Sequence, residues 1–78
     1  SMTPASQRAM TILRRMARGH PGASSGERAA HDILSNLSDG SPVDFFDAFS
    51  RLDGTGRTAV VQLLVDLTTG KTGLIELQ

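Results

Sequence analysis

Apolar residues recur three and four apart in four separate segments of this chain, and each segment is bracketed by residues that start and stop helices. Ala9, Ile12, Leu13 and Met16 form the first stripe, with Thr3 placed to cap, Pro4 at the first helical position and Gly19 just past the end of a helix over 4–18. His20 to Ser25, with Pro21, Gly22 and two serines, reads as a loop. Ser24 and Glu27 then have capping-box spacing, opening a second helix that runs to about Ser38 before Asp39-Gly40. Ala29, Ala30, Ile33, Leu34 and Leu37 are its inward face.

Ser41-Pro42 is expected to begin a third helix, with Asp44 in its positively polarised first turn and Phe45, Phe46, Phe49 and Leu52 as an aromatic wedge. Asp53-Gly54-Thr55-Gly56 is a turn that can cap a fourth helix, about 55–69, ending at Gly70. Val60, Val61, Leu63, Leu64, Val65 and Leu67 make that helix apolar on most sides, which predicts it as the central one. Phe46, Phe49, Leu34, Ile33, Leu64 and Val61 are the expected core. Leu74-Ile75-Glu76-Leu77 alternates briefly, as an extended tail or a short strand would. The fold class is therefore all-α: a small bundle of four helices with an extended C-terminal tail or short strand.

The 78 residues make a single helical domain over 3–78, with Ser1-Met2 reading as an expression-vector scar. No cysteine is present, so neither a disulfide nor a thiolate metal site supplies stability; helix packing, aided by self-association, must do so. The longest mostly apolar run, 59–67, is interrupted by Gln62 and Asp66 and falls far short of the roughly 20 residues a membrane span requires. The expected compartment is the cytoplasm.

Several short motifs lack what their chemistry needs. Gly70-Lys71-Thr72 follows a helix, and the phosphate-loop signature would need a glycine where Val65 stands. Taking Asp53 as the first position of a calcium loop puts Thr58 at the turn glycine and Leu64 at the bidentate glutamate. His20 and His31 have no cysteines or carboxylate pairs at metal spacing. Ser24 or Ser25 with His31 and Asp32 leaves nothing to orient a base, and Asp44 with Asp47 reads as an ion-pair face shared with Arg51. The pairs Glu27 with His31 and Arg28 with Asp32 stand four apart on the solvent face of the second helix. No cofactor, metal or catalytic residue is expected.

Charge is the stronger signal. Net charge is zero, yet residues 1–31 hold five arginines against one acid, and residues 32–78 hold three cations against seven acids. Arg8, Arg15 and Arg18 follow i, i+7, i+10 along one ridge, and Arg14 flanks them. These four are the candidate partner-binding residues. The expected function is a non-enzymatic protein-interaction module, with self-association a further role. The alternative is a nucleic-acid-binding accessory protein working through the same ridge; the zero net charge, the lack of aromatics beside the arginines and the acidic third helix weigh against it. Pairing of the ridge with Asp44, Asp47 or Asp66 of the same chain would remove support from both readings.

Ala17-Arg18-Gly19, Gly22-Ala23-Ser24, Arg28-Ala29-Ala30, Ile33-Leu34 and the aspartate-aromatic helix ending in Leu52-Asp53 carry a resemblance. Over about two thirds of its length the chain resembles an uncharacterised family of short proteins encoded on plasmids, prophages and integrative elements of Gram-negative bacteria. The resemblance implies no activity. It implies a mobile-element setting, in which small helical proteins act as regulators or inhibitors by binding host or element proteins.

Overall fold

A computed structural model describes residues 1–18 and 24–78, which form five helices: α1 (Pro4–Ala17), α2 (Ser25–Asp39), α3 (Phe45–Arg51), α4 (Gly54–Thr68) and α5 (Leu74–Leu77). Among the described residues there is no strand, and no helix is long and apolar enough to cross a membrane. The expected stop at Gly19 and most of the loop from His20 lie outside the described residues.

The helix starts obey short-range chemistry. The Thr3 hydroxyl accepts from the Ser6 amide at 3.0 Å. Ser24 and Glu27 close a reciprocal capping box, and Gly40 ends α2 at φ 77°, a left-handed conformation that glycine adopts without penalty. Asp53 accepts from the Gly56 amide at 2.8 Å and caps α4.

α3 starts three residues later than its sequence suggests. The Asp39 carboxylate accepts from the Ser41 amide at 2.9 Å, which holds a turn, and Pro42 biases Ser41 toward extended backbone. The helix waits for Asp44, which is its cap rather than part of its first turn. The C-terminal tail is likewise helical: the Glu76 carboxylate accepts from the Gly73 amide at 2.8 Å, and Leu77 is buried beside α2. Four alternating residues are too few to separate a period of 2 from one of 3.6.

α1 and α2 form the middle of the bundle. α1 packs against α2 and α4, and α2 also carries α3 and α5. Ser6 lies beside Asp66 near the end of α4, and Met16 lies against Gly56 near its start, so the two helices run antiparallel. The core is Ala9, Met10 and Leu13 of α1, Ala29, Ala30 and Ile33 of α2, Ala48 and Leu52, Ala59, Val60 and Leu63 of α4, and Leu77. Its many alanines let helix axes approach closely.

This core corrects the expected one. Ile33 is buried and Phe49 and Leu34 are half-buried, but Phe46 is 81% exposed and Val61 and Leu64 are each nearly half exposed. Ala48 and Leu52 set the inward face of α3, and Phe46 stands about 200° around the helix from Ala48. In α4 the stripe Gly56, Ala59, Val60, Leu63, Asp66 is covered, whereas Val61, Leu64 and Val65 lie off it. α4 is thus a flanking helix with an uncovered apolar side, not the central one.

Candidate functional site

The buried stripe of α1 is Ser6, Ala9, Met10 and Leu13. At about 100° per residue, Arg8, Arg15 and Arg18 fall on the opposite side of the helix, with Arg14 at the edge. All four are exposed. None of their guanidinium groups makes a hydrogen bond or ion pair with a described residue. The ridge is therefore one cationic surface presented outward, with Asp44, Asp47 and Asp66 all engaged elsewhere.

Each of the eight acidic side chains has a local partner. Glu27 accepts from the Ser24 amide, Asp44 from the Asp47 amide at 3.3 Å and Asp53 from the Gly56 amide, all at helix N-termini, whose dipoles offset part of their charge. Asp47 pairs with Arg51 at 3.1 Å, as its i, i+4 spacing predicts. Asp39 holds Ser41 and Glu76 holds Gly73. The expected Arg28–Asp32 pair does not form; Asp32 meets His31 at 3.2 Å, and Arg28 has no side-chain partner among the described residues.

Asp66, the eighth acid, interrupts the apolar run 59–67. It is buried, and its carboxylate accepts from the hydroxyls of Thr3 and Ser6 (2.7 Å for Ser6) and from the Gln62 amide at 3.2 Å. Thr72, also buried, donates its hydroxyl to Ser6 at 3.2 Å. The hydroxyl bonds, Thr3 foremost and then Ser6, hold the Asp66 carboxyl below the usual aspartate value of 3.8. This hub ties the start of α1 to the end of α4 and to the C-terminal turn. The sequence signal for it is position: Asp66 stands ten residues beyond Gly56 on the same stripe as Ala59, Val60 and Leu63.

The residues nearest to a catalytic pattern are engaged structurally. Ser24 is a helix cap, Asp44 another, and the hydroxyl of Thr72 in the Gly70-Lys71-Thr72 triplet belongs to the Asp66 hub. His20 lies outside the described residues. Among the described residues no cluster of three or more His, Asp or Glu could hold a metal ion.

Two depressions flank α4. An open groove of about 610 Å³ lies between α1 and α4, with Arg8 and Ile12 on its α1 wall and Thr58 and Gln62 on its α4 wall. A smaller one of about 160 Å³, bordered by Leu37, Val43, Phe45, Leu64 and Leu67, lies on the α2 side. No family model, curated protein or solved structure matches the chain.

Proposed function

We propose that this chain is a non-enzymatic protein-interaction module that binds a partner's carboxylates through Arg8, Arg14, Arg15 and Arg18. One observation carries the reading: every acid has a partner within the chain, whereas the α1 arginines have none among the described residues. Guanidinium groups present planar, bidentate donors that suit carboxylates and phosphates alike, so the surroundings must choose between them. The cationic surface occupies one face of one helix, and the chain as a whole is neutral. A duplex extends well beyond that face toward the rest of the chain, where residues 32–78 hold seven acids against three cations and oppose a polyanion, whereas a local acidic patch meets the ridge without spanning them. A regulator or inhibitor acting in the cytoplasm on behalf of a mobile element fits this chemistry.

Titration of duplex DNA at about 150 mM salt tests the choice of partner class. The wild-type chain is expected to leave the duplex unshifted at micromolar concentration. A shift that disappears in the Arg8→Glu, Arg15→Glu, Arg18→Glu variant would make nucleic acid the partner instead.

A further inference from the structure

The α1 wall of the larger groove is Ala5, Arg8, Ala9 and Ile12, spaced i, i+3, i+4 and i+7, a continuous helical stripe. The α4 wall is Thr55, Thr58, Ala59 and Gln62, again spaced three and four apart, and Val65, 48% exposed, stands one heptad beyond Thr58 on the same line. Two antiparallel stripes of this kind, floored by alanines, offer the surface onto which a third helix packs.

We propose that the α1–α4 groove receives an acidic amphipathic helix of a partner protein. The inference rests on the ridge reading and specifies the form of the partner. Arg8 stands on the groove wall, and Arg15 lies seven residues further along the same line, about 10 Å up the helix. Neither has a partner among the described residues. The incoming helix therefore carries carboxylates about two turns apart on one flank, facing Arg8 and Arg15, and a small apolar seam that covers Ala5 and Ile12 and reaches Val65.

The probe is a synthetic peptide of about 20 residues, long enough to be helical, with an Ala/Leu seam and glutamates seven apart; a lysine-for-glutamate peptide is the control. Titrated into the isotopically labelled full chain, the acidic peptide should move amide resonances along both stripes, and the lysine peptide should not. Thr58→Glu and Val65→Glu, both at exposed positions, should each weaken binding by about tenfold or more, as should Arg8→Glu with Arg15→Glu. Binding that falls with the arginine reversal but is indifferent to Thr58→Glu and Val65→Glu would overturn the groove and leave the ridge reading standing. Absence of binding by the wild type would also overturn the groove, and capture of natural partners by the ridge decides the broader reading independently.

Discussion

Leu13→Ala should destabilise the chain by about 2–5 kcal/mol, the range for truncating a fully buried leucine. Leu13 is wholly inaccessible and belongs to α1, which packs closely against both α2 and α4. At about 0.05–0.15 kcal/mol per residue, a chain of this size has roughly 4–12 kcal/mol in total, so the substitution removes much of it. Phe46→Ala, although it deletes a larger side chain, should change stability by no more than about 0.5 kcal/mol, because the ring is already in water. Urea denaturation of the two variants checks the packing directly. A Phe46→Ala loss larger than that of Leu13→Ala would place the core elsewhere.

The second large effect belongs to Asp66. Asp66→Asn keeps the side-chain shape but removes the charge that three donors share, and a buried hub with one member altered leaves the others incompletely satisfied. A clear fall in Tm is expected. The sign of its pH dependence follows from the lowered carboxyl: near the ordinary value of 3.8 the unfolded chain binds more protons than the folded one. The stabilisation is thus complete above that value and is lost as pH falls through the lower folded value. Thermal melts through this acid range should show a shallower decline for Asp66→Asn than for the wild type. Asp39 and Glu76, also lowered by hydrogen bonds from Ser41 and Gly73, add to the slope in the same direction. Identical acid profiles for wild type and Asp66→Asn would remove the hub from the account.

What could be read from the sequence divides by range. The caps at Thr3, Ser24 and Asp53 join residues three apart, so spacing alone identifies them. The arginine ridge is equally legible, since i, i+7 and i+10 fix one face of any helix. The covered side of α4 is not: a helix apolar nearly all round gives no periodicity to choose Val60 and Leu63 over Val61 and Leu64, and only the antiparallel seat of α1 decides. Asp66 is hidden for the same reason, because its partners Thr3 and Ser6 are sixty and more residues away. The late start of α3 depends on Asp39 holding Ser41, a side-chain contact that competes with helix initiation and leaves no periodic trace.

Capture of partners from the native host, quantified by mass spectrometry, tests the ridge most directly. The wild-type chain and the Arg8→Glu, Arg15→Glu, Arg18→Glu variant are compared as baits, with circular dichroism confirming equal helicity, since all three side chains project into solvent. The account predicts a reproducible set of proteins on the wild type that the variant fails to retain, and renewed retention when the three positions are lysine, at weaker affinity because ammonium groups lack the bidentate fork. Retention of the same proteins by wild type and glutamate variant alike would contradict a contact surface on α1.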